Sequence, residues 1–343
     1  AQEKAGSSCS KSAFLLVLRL LYECTHVSGV MRIVLLACLL VVEVTLSSAE
    51  APTKRKRGFA GFVGNAAKGQ HFTCNDAAAL GLEDSWFYSW MMTPSQYGKC
   101  GFNKKLAAEF VPMVSGVNQT RHFMTESMKQ HLVSANVHYL LGYNEPDSGN
   151  GKHNHPHEAA PAVAAADWPL VQKVADQFGP PLELVAPAVS SGSESGGKDA
   201  WDDDGKSTWL DEFFGNCTLV FKDCDPSKIK YLAMHDYSGN ITGLKRRIEG
   251  AFKRYGERKI WLTEVAITKW GQPPSRAAQD SYMADLLPYL DSSEHVFRYA
   301  WFSSRNEPNK QNGGSNLLQY DSDSLTPTST GKMYASSTNS FVI

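Results

Sequence analysis

Short runs of consecutive apolar residues alternate along the chain with longer stretches in which apolar positions recur every three or four residues. The short runs, rich in β-branched and aromatic side chains, predict eight strands: Gly58–Val63, Ser85–Trp90, Phe110–Val114, His138–Tyr143, Leu182–Val189, Ile229–His235, Lys259–Val265 and Val296–Phe302. The longer period predicts helices between them. Ile241, Leu244, Ile248, Phe252 and Tyr255 would line one buried face. Ala278, Tyr282, Leu286 and Leu290 would line another, behind Ser275 as N-cap after Pro273-Pro274. Glu158 to Phe178 reads as a helix kinked at Pro169 and closed by Gly179. Strand and helix alternate without a linker, which argues for a parallel sheet with right-handed crossovers. The expected fold is therefore α/β, a single (β/α)8 TIM barrel. A doubly wound open sheet is the alternative, but it wants a Gly-rich phosphate loop after the first strand, and Gly58-Phe59-Ala60-Gly61-Phe62 is not one. Ser190 to Gly205, rich in Gly, Ser and Asp, is expected to be a long surface loop.

The first 57 residues lack this alternation. Met31-Arg32, the ten apolar residues Ile33 to Val42 and the small Ser47-Ser48-Ala49 have the layout of a secretory signal peptide. Ten apolar residues are far short of the ~20 that span a bilayer, so no membrane anchor is expected. The expected organisation is upstream sequence at 1–30, a signal peptide at 31–49, a basic pro-segment or linker at 50–57 and the catalytic domain at 58–343. A longer genuine leader is the alternative for 1–30. Lys54-Arg55-Lys56-Arg57 then reads as a processing site, with a solvated tail as the plainer choice. Four cysteines follow the leader, and sequence-local pairing (Cys74–Cys100 and Cys217–Cys224) is favoured among the three connectivities. Acceptor triplets at Asn118, Asn216 and Asn240 fit a secreted glycoprotein.

Charge narrows the partners. The chain carries 34 Lys+Arg against 35 Asp+Glu, a net of −1, and gives no basic footprint for nucleic acid. Aromatics make up 11% of it, enough for a surface that stacks sugar faces.

In such barrels chemistry sits where strands end. Two carboxylates directly follow apolar strands: Glu145, after His138 to Asn144, and Glu264, after Ile260 to Thr263. A carboxyl at a buried strand end is costly unless it is paired or has a task. Two of them across one bond are what glycoside hydrolysis needs: one protonates the leaving oxygen, the other attacks or stabilises the anomeric carbon. The charge of Glu264 should raise the pKa of Glu145 for that purpose. Asn144 is placed to hold the sugar 2-hydroxyl.

Gly142-Tyr143-Asn144-Glu145-Pro146-Asp147, with Trp261-Leu262-Thr263-Glu264 further on, resembles glycoside hydrolase family 128. The likeness extends over 58–340 and includes Leu184-Val185-Ala186-Pro187-Ala188 and the closing Leu325-Thr326-Pro327 to Tyr334. Asn-Glu-Pro alone is shared by several clan A families, and the combination is more specific. The resemblance implies a (β/α)8 enzyme that cleaves β-1,3-glucans with retention, Glu145 as acid/base and Glu264 as nucleophile. It also implies a Trp at strand eight and a His or Tyr at strand six near the nucleophile, which Trp301, His235 and Tyr237 would supply. Trp90, Tyr88, Trp301, Tyr237 and His235 are therefore the candidate substrate-binding residues, with Asn144. The expectation is a secreted, monomeric retaining endo-β-1,3-glucanase without cofactor or metal, acting on laminarin-type glucan. Another clan A glycanase and a catalytically silent glucan-binding protein are the alternatives.

Other patterns carry less. Asn306-Glu307-Pro308 follows a polar run and reads as loop, and Thr125-Glu126 heads a polar helix. His153, His155 and His157 alternate without a carboxylate to complete a metal shell. Asp202-Asp203-Asp204-Gly205 lacks calcium-loop spacing, and Trp201 beside it is expected to matter little for substrate.

Overall fold

The computed structural model describes residues 56–60, 74–83, 85–92, 108–117, 119–120, 129–130, 132, 137–148, 158–191, 201–269, 272–305, 314–319 and 325–336. All of them belong to one compact unit, Lys54–Ile343. Its strands are β1 (Arg57–Ala60), β2 (Trp86–Tyr88), β3 (Glu109–Phe110), β4 (Tyr139–Leu141), β5 (Glu183–Val189), β6 (Ile229–Asp236), β7 (Ile260–Val265) and β8 (Val296–Trp301). Every ladder is parallel, and the order is β3-β2-β1-β8-β7-β6-β5-β4. The ring closes between β3 and β4 through a parallel bridge, Met113 to Leu141. There the Leu141 N–H donates to Pro112 O at 2.9 Å and the Val114 N–H to Leu141 O at 3.0 Å. This is the expected barrel.

The described helices are α1 (Cys74–Ala79), α2 (Pro161–Asp176), α3 (Thr208–Leu219), α4 (Ile241–Arg254), α5 (Arg276–Ser292) and α6 (Ser329–Ser336). Ser275 caps α5 as expected, its Oγ accepting from Ala278 N. α2 starts at Pro161, where a missing N–H costs nothing, and runs through Pro169. Strand alternation divides the apolar residues into two layers. Trp86, Tyr88, Met113, Leu141, Val185 and Trp261 fill the bore, where Ala60, Ala188, Ala233 and Ala300 leave room for the two indoles. Trp168, Phe213, Ile248, Leu286 and Trp301 belong to the larger layer between strands and helices. Gly58 is fixed by this packing, since a Cβ there would lie 2.3 Å from the Trp86 ring.

One expected boundary moves. Arg57 is no linker: it opens β1 at 3% exposure. Its Nε donates to Tyr299 Oη at 2.8 Å, Nη2 to Asp291 at 2.7 Å and Nη1 to the Tyr334 carbonyl. Lys56 Nζ donates to Ser293 O at 2.6 Å. The last two members of the basic tetrad therefore fasten β1 to the α5 end and α6, and cleavage before Gly58 would cut into the barrel. The Cys217–Cys224 disulfide forms as expected, with Cα atoms 4.8 Å apart. The Cys74–Cys100 pairing, Asn118, Thr125-Glu126, the three alternating histidines and Asn306-Glu307-Pro308 lie outside what is described. Asn240 caps α4, accepting from Gly243 N at 3.0 Å. Among the described residues no helix is long and apolar enough to cross a membrane.

Candidate active site

The strand ends carry the chemistry. Past β4 the chain keeps one more parallel bridge, Asn144 to Ala188, and then turns. Glu145 makes that turn with φ +45° while its N–H donates to Ala188 O at 2.8 Å. A side-chain-bearing residue in this region is strained, and the neighbouring hydrogen bonds must hold it there. Asp147 supplies one tie, accepting from Ser190 N at 2.9 Å and Ser190 Oγ at 2.7 Å, which fastens the β4 loop to the end of β5. Ser148 Oγ donates to Glu145 Oε2 at 3.2 Å.

Glu264 stands near the end of β7, in register with His235 on β6. His235 Nδ1 lies 2.7 Å from Glu145 Oε1 and 3.5 Å from Glu264 Oε2. One side-chain atom from each of the three residues falls within 4.8 Å of the other two. Glu264 Oε1 accepts from Trp90 Nε1 at 2.8 Å and from Tyr88 Oη at 3.3 Å, and Tyr237 Oη donates to Oε2. Asp236, between His235 and Tyr237, is held from outside the barrel by Arg247 of α4 and by Ser238 Oγ at 2.8 Å. Two carboxylates and an imidazole thus converge at the C-terminal mouth, braced by donors from β2 and β6.

The family model described as glycosyl hydrolase catalytic core matches residues 64–334. The chain belongs to that family. The resemblance to glycoside hydrolase family 128 is upheld by solved structures. A subgroup II endo-β-1,3-glucanase from Sorangium cellulosum is 28% identical at TM-score 0.60, over 82% of this chain and 98% of its own. A subgroup I endo-β-1,3-glucanase from Amycolatopsis mediterranei, in complex with laminaritriose, is 26% identical at TM-score 0.56 over 82% and 98%. A subgroup III curdlan-specific exo-β-1,3-glucanase from Blastomyces gilchristii is 25% identical at TM-score 0.55 over 83% and 100%. Comparison with curated proteins gave no match.

In this hydrolase several expected sugar contacts have other tasks. Trp301 is fully buried in the outer layer, with Nε1 donating to Ser315 O at 2.7 Å. Strand alternation explains the correction: Ala300 faces the bore, Trp301 faces the helices, and the next residue, Phe302, returns inward. Phe302 is the residue missed, packing edge-on against Trp90 and Tyr237. Tyr88, His235 and Tyr237 are also buried, and each reaches a carboxyl group of the pair, Tyr88 and Tyr237 through their hydroxyls and His235 through Nδ1, while His235 Nε2 has no partner among the described residues. Asn144 is 8% exposed, and among the described residues its Oδ1 has no partner. Trp201 packs edge-on against Tyr255, away from this site.

Burial works against the charged form of His235. The charge of Glu264, the hydrogen bond and charge of Glu145, and Asp147 outweigh it and push the imidazole up to about 9. A protonated imidazole donates from both ring nitrogens, so in this form His235 is a donor to the two carboxyl groups. Burial raises Glu264 as well and the Glu145 charge adds to it, while His235 and the hydrogen bonds from Tyr237 and Trp90 pull the other way. Tyr88 is held well above its ordinary value, first by burial and then by Glu264, and serves only as a neutral donor.

Proposed function

We propose that this hydrolase is a secreted, retaining endo-β-1,3-glucanase acting on laminarin-type glucans. The observation that carries the reading is the pair Glu145 and Glu264, with carboxylate oxygens within 4.8 Å of each other across His235. Retention needs carboxyl groups about 5–5.5 Å apart, whereas inversion needs room for a water between them. Glu145, at the strained turn after β4, is the acid/base. Glu264, which accepts from three donors, is the nucleophile.

The reaction runs in two displacements. Glu145 donates its proton to the glucosidic oxygen as that bond breaks, and Glu264 bonds to the anomeric carbon. Glu145, now a carboxylate, takes a proton from water, whose oxygen displaces Glu264. His235 Nδ1 lies 2.7 Å from Glu145 Oε1, close enough to share a proton with it in the first step. The unpartnered Asn144 Oδ1 is placed to accept from a sugar hydroxyl next to the scissile bond. The specificity for β-1,3 linkages is supported by structural relatives whose endo- and exo-acting members bind laminari-oligosaccharides or glucose.

Proton NMR of freshly cleaved laminari-oligosaccharides tests the reading. A β-anomer released first, within a spread of oligomer lengths, is expected. A first-formed α-anomer would remove the double displacement, glucose alone would make the enzyme exo-acting, and turnover confined to cellulose or mannan would change the substrate. Export is proposed from the 31–49 segment. N-terminal sequencing of secreted protein should then begin near Glu50, and not at Gly58, because Arg57 is part of β1.

A further inference from the structure

Trp90 lies just past β2, with backbone φ +57°. A bulky side chain in the left-handed region costs roughly 1–3 kcal/mol and persists only where its surroundings require it. Here two rings grip the indole edge-on, Tyr88 at 5.0 Å and Phe302 at 5.8 Å between centroids. So gripped, its Nε1 sits 2.8 Å from Glu264 Oε1, closer than the Tyr88 hydroxyl at 3.3 Å.

We infer that Trp90 is a positioning residue for the nucleophile: its indole N–H holds and aims Glu264 Oε1, in place of the stacking role that an aromatic at this height suggests. The inference rests on the reading of Glu264 as the nucleophile. Its force comes from what an indole cannot do. A tyrosine hydroxyl rotates and can accept as well as donate, so Tyr88 and Tyr237 tolerate either form of a carboxyl group. An indole nitrogen only donates and carries no charge at any working pH. Among the described donors to Glu264, Trp90 is therefore the one that keeps Oε1 an acceptor: it leaves any proton to Oε2 and binds most strongly when the group is the carboxylate that attacks. A lysine or arginine here would do the same with a full charge, but it would stabilise the resting carboxylate more strongly and blunt its attack on carbon. Among the described residues His235 is the one cation within 4 Å of Glu264. The neutral donor leaves the charge balance of the trio to His235 and Glu145.

Trp90→Phe keeps an aromatic ring and removes the N–H, and Trp90→His returns an N–H on a smaller ring. On laminari-oligosaccharides, kcat of Trp90→Phe is expected to fall about tenfold to a hundredfold, the usual worth of a hydrogen bond to a charged group. KM should change less, and the acid limb of the kcat/KM profile should move to higher pH, because loss of a donor to the ionised form makes Glu264 easier to protonate. Trp90→His should recover part of kcat and move the limb back. A Trp90→Phe enzyme with unchanged kcat and acid limb but raised KM would overturn the inference and make Trp90 a sugar platform. A second readout does not depend on turnover. In the wild-type protein the Trp90 indole proton resonance should shift as Glu264 titrates, and Glu264→Gln should abolish that shift. If wild type leaves laminarin uncut while the indole still reports Glu264, the substrate reading fails and the inference stands. An indole resonance indifferent to Glu264→Gln overturns it, whatever the substrate.

Discussion

The barrel buries ionised groups at both ends, and it treats them in opposite ways. At the N-terminal end Arg298 and Glu109, each nearly inaccessible, pair at 2.8 Å between Nη2 and Oε2. The guanidinium also lies 4.6 Å from the Tyr139 ring centroid, 4.9 Å from Trp261, 5.4 Å from Phe297 and 5.7 Å from Trp86. One positive charge meets one negative charge, and ring faces pack around the guanidinium, whose Nη1 has no hydrogen-bond partner among the described residues. At the C-terminal end two carboxyl groups share a single imidazolium, so neither has a counter-charge of its own. Asn144 Oδ1 there has no partner among the described residues, and Glu145 is strained. A buried charge that only has to persist is matched one to one and wrapped. A buried group that has to react is left to share its counter-charge, and the scaffold must carry the cost.

If that contrast holds, the two ends should fail differently when broken. Glu145→Gln and Glu264→Ala should lower kcat on the order of 10²–10⁴-fold or more, with thermal stability unchanged or raised, because each leaves His235 with one carboxyl partner and relieves the crowding of two. Azide should restore turnover to Glu264→Ala with an α-glycosyl product, whereas any azide product of Glu145→Gln should be the β-anomer. A Glu264→Ala enzyme with near-native turnover would end the assignment of the nucleophile. At the other end Arg298→Met should cost about 3–5 kcal/mol in urea denaturation, since it strands Glu109 in the bore. Activity per folded molecule should stay near wild type. Adding Glu109→Leu should recover most of that stability, which an ion pair valued for its own attraction would not allow.

Titration sharpens the same comparison with a smaller effect. His235 rises from an ordinary 6.5 to about 9 in the fold. A raised value means that the folded state favours the proton. The resulting stability is complete below pH 6.5 and is lost as pH climbs through 9. The loss should reach up to about 3 kcal/mol. Glu264, raised chiefly by burial, adds a loss in the same direction above the ordinary carboxyl range. Denaturation midpoints at pH 6 and 9.5 should therefore separate in wild type and in Arg298→Met alike, and converge in His235→Gln. Equal separation in all three proteins would place the titrating group outside the mouth.

How much of this was legible in the chain differs by level. Period and spacing were enough for eight strands and for the two carboxylates, because both follow from local pattern: an apolar run, then an ionisable residue where the run stops. Side-chain direction at strand ends was not legible. Trp301 and Phe302 are neighbours in an apolar run, and the packing separates them: Trp301 lies in the outer layer, while Phe302 reaches the bore cluster that holds Ala300. Alternation counted back from Ala300 would have found it. Nor could composition separate the sugar-facing aromatics from those that brace Glu264, since Tyr88, Trp90 and Tyr237 suit both tasks until partners are known. The linker reading of Arg57 failed for a related reason. A run of four basic residues suggests solvent, and the carbonyl, carboxylate and ring faces that take Arg57 in lie more than 230 residues away.

The smallest expected effect isolates what the plug depends on. Glu109 has a second described partner, His138, whose Nδ1 lies 3.2 Å from Glu109 Oε1 and whose side chain is 44% exposed. Geometry alone makes the two contacts look alike, but their surroundings separate them. Arg298 always carries its charge and is shielded from water on every side by rings, so its removal leaves a carboxylate without a counter-ion in a dry bore. His138 stands in solvent, where water screens the pair and replaces its hydrogen bond. His138→Gln should therefore cost under about 1 kcal/mol by urea denaturation, leave kcat and KM on laminari-oligosaccharides at wild-type values, and keep Glu109 paired with Arg298. If His138→Gln instead approaches the cost of Arg298→Met, Glu109 is held from the solvent side. The N-terminal end would then be a shared-charge cluster like the mouth, and the contrast between matched and shared charge would fall.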